Sequence, residues 1–207
     1  MPLIEIENLK QLTDQYFGGE IDLSAEAARY SRQDICDYYR RNVAKLARLV
    51  AHMSPAQLAY RLPGAPSGLD MSGDEEHFDT SQIVTHIASG TAFHWWGITR
   101  ALHHERPQFP KPPEGTPTTG QLKSGMGAGG WSGVPADELV RVLMETANRF
   151  LNYIESLPPD TDFAATSRYG VFGTLSAHGW LFLAGMHSAM HLEQVREMRA
   201  QPDYPAK

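Results

Sequence analysis

An all-α four-helix bundle is the fold class this chain predicts, and three features predict it. Four long stretches carry apolar residues at helical spacing. Each is bounded by Ser, Asp, Gly or Pro. No stretch shows the alternation of a half-buried strand. The 207 residues suffice for one full core. The whole chain, 1–207, therefore reads as one helical-bundle domain, with a lead segment over 1–22 and a long loop or arm over 105–134.

The lead segment, "IENLKQLTDQYFGG", predicts a short helix that stops at Gly18-Gly19. The first long helix starts near Ser24 and runs to about Met53, with Ile35, Tyr38, Leu46, Leu49 and Met53 on its apolar stripe and Asn42 beside them. "SPAQLAYRLPG" opens with a cap-like Ser54-Pro55 and closes in Pro-Gly, so it reads as a short helical turn and a loop. The second long helix opens at "DTSQIVTHIASG", where Asp79, Thr80 or Ser81 could cap it, and stops before Pro107. Ile83, Ile87, Gly90, His94, Gly97, Ile98 and Ala101 share one face, with His86 near its edge.

The stretch from Glu105 to Val134 is rich in Gly, Pro and Thr, the composition of a lid or an arm, and Trp131 near its end reads as an anchor. The third helix begins at Pro135 and runs to about Leu157, with Leu139, Val142, Leu143, Thr146, Phe150 and Ile154 inward. The fourth starts near Thr174 and ends before Pro202, with Trp180, Leu183, Ala184, His187, Met190, His191, Gln194 and Met198 inward.

The formal net charge of −6 and the absence of a Lys/Arg run exclude nucleic acid as the expected partner. One cysteine, Cys36, allows no internal disulfide and no Cys-rich zinc site, and reads as a small core residue. No apolar run approaches membrane-spanning length, and "MPLIEIENLK" has no signal-peptide pattern. The expected setting is the cytoplasm, with no membrane partner.

The chemistry concentrates in "HSAMHLEQVREMR". His187 and His191, four residues apart, lie one turn apart on one helical face. Two imidazoles so placed can converge on a metal, and a third ligand must come from a facing helix. His86 and His94 both qualify, and spacing does not separate them. Of the other histidines, His103, His104 and His52 sit near helix ends, His77 precedes the second long helix, and His178 precedes the central part of the fourth. Gln194, one turn beyond His191, could hold a metal-bound water or bond a histidine's second nitrogen. It could equally be a polar residue at the solvated end of the bundle. Glu193 points away from this face, into solvent.

Three stretches, "SPAQLAYRLPG", "TSQIVTHIASGTAFHWW" and "FGTLSAHGWLFLAGMHSAMHLEQVREMR", resemble the DinB-like superfamily of metal-binding four-helix bundles. The resemblance runs from about Ala25 to Ala200 and implies an up-down-down-up bundle. It implies His86, His187 and His191 as the metal ligands, and it matches Gln194 to the family's H-x-x-x-H-x-x-Q pattern. Family members include thiol-dependent S-transferases and isomerases that use mycothiol, bacillithiol or glutathione. The resemblance thus implies a divalent metal, zinc by default with nickel, iron and manganese open, a low-molecular-weight thiol, a small-molecule substrate and a homodimer. A metal-dependent hydrolase and a non-catalytic stress-response bundle are the alternatives. "HSAMHLE" also satisfies the H-x-x-x-H-x-E motif of the iron domain in ergothioneine-pathway enzymes, but those need a second large domain that 207 residues cannot supply. The loop over 105–134 is longer than the family's usual connection. A pocket is expected between the second and fourth helices, drawn from Tyr38, Asn42, His94, Trp180 and Met190.

Overall fold

Seven helices and one short hairpin follow one another in the computed structural model, which describes residue 4 and residues 9–62, 78–107, 131, 133–169 and 172–206. They are α1 (Leu9–Phe17), α2 (Leu23–Ala27), α3 (Arg32–Val50), α4 (Pro55–Leu58), α5 (Thr80–Ala101), α6 (Ala136–Ser156), β1 (Thr166–Arg168), β2 (Thr174–Ser176) and α7 (Ala177–Arg199). The four long helices form the bundle. α3 and α5 each pack against both α6 and α7, so α3 and α5 stand at opposite corners.

Local chemistry sets the helix starts. Ser31 and Asp34 form a reciprocal capping box, in which the Asp34 N–H donates to Ser31 Oγ (3.1 Å) and the Ser31 N–H to the Asp34 carboxylate (3.2 Å). This box divides the expected first long helix into α2 and α3. The signal lay in "SRQD" but was masked by the helical spacing on either side of it. Asp79 and Gln82 cap α5 in the same way, at 2.8 and 2.9 Å. Pro135 is the residue before α6 rather than its first residue.

The absence of strands needs correcting. Thr174–Ser176, read as the start of the fourth helix, pairs antiparallel with Thr166–Arg168, and the helix begins at Ala177 with Ser176 as its cap. Three-residue strands are too short for an alternation to stand out in a sequence.

The fourth helix departs from the expected amphipathic pattern. Besides its predicted stripe, Leu181, Phe182, Met186, Leu192 and Val195 are also buried. The reason is its central place: α1, α2, α3, α5 and β2 all pack around α7. A helix hydrophobic on most sides belongs inside. Cys36 is core, and burial pushes its thiol up to about 12, far from thiolate chemistry at neutral pH. No described helix is long and apolar enough to cross a membrane.

Candidate metal centre

Histidine 86 reaches the bundle interior from the second turn of α5, and His187 and His191 reach it from the middle of α7. The three side chains are 3–5% exposed, so solvent cannot satisfy their nitrogens. The His187 Nε2 atom lies 3.1 Å from His86 Nε2 and 3.1 Å from His191 Nε2. One potential ligand atom from each residue falls within a 4.8 Å cluster.

Gln194 settles one tautomer. Its Oε1 accepts from His191 Nδ1 at 2.8 Å, so the Nδ1 carries the proton and the His191 Nε2 lone pair points inward. Three ring nitrogens in mutual contact cannot all be satisfied by hydrogen bonds among themselves, since one central N–H serves one acceptor well. Burial holds all three imidazoles below their usual pKa, and charge repulsion within the cluster adds to this for His86 and His187. For His191 the pKa is lowered to about 4, although the bond to Gln194 opposes the shift. Neutral imidazoles with inward lone pairs are the form that binds a cation.

The close approach of α5 and α7 depends on Gly90. A Cβ at that position would stand 2.4 Å from His187 Cε1 and 2.8 Å from its Nδ1. Spacing alone places Gly90 on the inner face without revealing a role there. Its position one turn from His86 on a histidine-bearing face was the available signal.

His94 is 2% exposed, with its ring 5.3 Å from that of His187. Trp180 packs fully buried over Gly97, where a Cβ would come within 2.5 Å of the indole. Its Nε1 donates to Ser167 Oγ, and the Ser167 hydroxyl donates to the Gly97 carbonyl, both at 2.8 Å. Tyr38 packs against Gly185, on the side of α7 that faces α3. Asn42 is buried one turn further along α3. Met190 receives the Thr13 hydroxyl of α1 on its sulfur at 3.4 Å. Phe172, which no pattern in the sequence marks, stands 6.4 Å from His94 and 5.7 Å from Trp180, centroid to centroid.

Glu193 is exposed and pairs with Arg196 at the surface. His52, His103 and His104 are exposed and His178 is half-buried, while His77 and most of the 105–134 loop fall outside the described residues. Trp131 anchors the end of that loop: it packs on the core, and its backbone N–H donates to Thr85 Oγ1 at 2.6 Å.

A family model described as the DinB superfamily matches residues 38–195 of this chain. Among solved structures, the chain is similar to one titled "Crystal structure of the mycothiol-dependent maleylpyruvate isomerase", with a TM-score of 0.54 and 12% sequence identity. That similarity covers 86% of this chain and 66% of the other, so the chain spans just under two thirds of that structure's length. No curated protein matches the chain.

Proposed function

The chain belongs to the DinB superfamily, and from that premise we propose that it is a divalent-metal-dependent enzyme acting on a small molecule, a thiol-dependent S-transferase or isomerase, with His86, His187 and His191 as the metal ligands. The observation that carries this is the convergence of three buried, neutral imidazoles. Ligands placed tetrahedrally at ordinary zinc–nitrogen distances are about 3.3 Å apart, and the two separations in this structure are 3.1 Å. The donor set fits such an ion. Zinc is the first choice, with nickel, iron and manganese open to the same nitrogens.

His86, His187 and His191 would hold a divalent ion through neutral nitrogens, and the ion would supply Lewis acidity that favours deprotonation of a thiol or water. The chain's own residues supply the setting. Gln194 holds the proton of His191 on Nδ1. Gly90 lets the His187 ring lie against α5, and the packing of α5 on α7 keeps bulk water from the nitrogens. The structural neighbour is named as a mycothiol-dependent isomerase, which favours a low-molecular-weight thiol as co-substrate. The net charge of −6 favours a small molecule over nucleic acid. A cytoplasmic setting and a homodimer accompany this reading, and sedimentation tests the latter.

A non-catalytic bundle is the second reading. It draws on the partners of the triad among the described residues, which are histidines, Gln194 and the Phe78 ring rather than a carboxylate or a lysine.

Elemental mass spectrometry on tag-free protein decides the first point. Wild type should carry close to one equivalent of metal, and His187→Ala with His191→Ala should carry none. A thiol-transfer screen follows, and turnover that needs the metal but no thiol would move the protein to the hydrolases. No metal in wild type after loading with zinc, nickel, iron and manganese would refute the proposal.

A further inference from the structure

His94 stands beside the triad without belonging to it. It lies two turns beyond His86 on α5, with Gly90 between them on the same face. Its side chain is 2% exposed, and neither ring nitrogen has a hydrogen-bond partner among the described residues. On one side its ring meets that of His187 edge-on at 5.3 Å. On the other stand Trp180 at 6.3 Å and Phe172 at 6.4 Å. Neither can complete it, because Phe172 has no polar atom in its ring and the Trp180 N–H is held by Ser167.

Buried polar atoms are paired in the large majority of cases, and those that are not call for an explanation. A neutral imidazole brings one donor and one acceptor. Packing alone would be served as well by Phe or Leu, without the penalty of desolvating two nitrogens.

Resting on the metal-centre reading, we infer that His94 hydrogen-bonds a polar atom of the small ligand whose other end binds at the triad. The ligand class is then a bifunctional molecule: a thiol, or another metal-binding group, with a hydroxyl, carbonyl or amide a short carbon chain away, since the His94 and His187 rings lie only 5.3 Å apart, centroid to centroid. The Phe172 and Trp180 rings offer the carbon chain an apolar wall. His94 is thereby a substrate-contacting residue that selects among thiols.

Cobalt-loaded protein tests this through the sulfur-to-cobalt absorption band, titrated with 2-mercaptoethanol and with 1-propanethiol. The two thiols differ by a hydroxyl in place of a methyl. Wild type should prefer 2-mercaptoethanol by on the order of tenfold, the effect of one well-made hydrogen bond. His94→Phe should erase or reverse the preference, and His94→Gln, which keeps a donor and an acceptor, should retain part of it, both at unchanged cobalt content. Equal affinities in wild type, or the same preference in His94→Phe, would overturn the inference. Loss of cobalt from both variants would also overturn it, by making His94 a metal ligand. A wild type that takes up no cobalt removes the metal-centre reading, and this inference with it. Should His94→Phe fail to fold, the wild-type preference and the His94→Gln variant decide.

Discussion

Helix α5 receives a ring from α7 at two glycines seven residues apart, and the two seats are finished in opposite ways. At Gly97 the ring is Trp180, and the seat is closed: the indole N–H goes to Ser167, and the Ser167 hydroxyl goes to the carbonyl of the same glycine. At Gly90 the ring is His187, and the seat is open: its Nε2 faces two other imidazole nitrogens, and His94 lies alongside with both nitrogens unpaired among the described residues. The backbone solution is shared. What differs is whether the protein finishes its own hydrogen bonds. A seat completed internally serves stability, and a seat left to be completed from outside suits a ligand.

Acid should break the comparison most strongly. Burial depresses the pKa of His94 to about 3 and of His191 to about 4, and puts His86 and His187 well below the usual value. The unfolded chain, with ordinary histidines, therefore binds more protons than the folded one as the pH falls below about 6.5. The stability these neutral histidines allow is full above that pH and is lost progressively as the pH falls toward the folded values. Each contributes up to about 1.4 kcal/mol per pH unit in that window. Urea unfolding of metal-free protein at pH 7 and pH 5 should show a loss of several kcal/mol. The Trp180 N–H is held by the Ser167 hydroxyl, which does not titrate in this range, and Ser167→Ala should leave this slope unchanged.

Removing the closed seat's ring comes next. Trp180→Ala should cost about 3–5 kcal/mol, the usual range for deleting a fully buried aromatic side chain, as read by urea or thermal unfolding. Gly90→Ala sharpens the contrast. Its Cβ would collide with the His187 ring, so the ring or the helix must move, at about 1–3 kcal/mol in stability. Metal affinity should fall at least tenfold by competition with a chromophoric chelator, because the His187 nitrogen is displaced. Unchanged affinity would show that the open seat does not depend on the close approach. Ser167→Ala is the smallest change. It leaves the indole N–H without its acceptor at about 1–2 kcal/mol, and metal content should stay at the wild-type level.

Much of this was legible one helix at a time. The apolar stripe of α6 is buried as its spacing predicts, from Leu139 through Ile154. The stripe His187, Met190, His191 and Gln194 is buried along α7 as well. What escaped was of two kinds. The break at Ser31 and the β1–β2 hairpin are short local devices that a helical pattern on either side conceals. The burial of α7 on most of its faces, and the roles of Phe172 and Ser167, depend on chain segments far apart in sequence. Tyr38 and His94 both looked inward on their own helices, but Tyr38 meets Gly185 while His94 meets His187.

By itself, then, the sequence determined which residues share a face and where helices start, because helical periodicity and capping act within a turn or two of chain. It determined that His187 and His191 stand together. Only the tertiary structure decided that His86 approaches His187 to 3.1 Å, that two glycines set the spacing of α5 and α7, and that Trp180 finds a hydrogen-bond partner while His94 finds none among the described residues. Those outcomes turn on distances of a few ångströms between segments about a hundred residues apart in some cases, and no periodicity within a single helix encodes them.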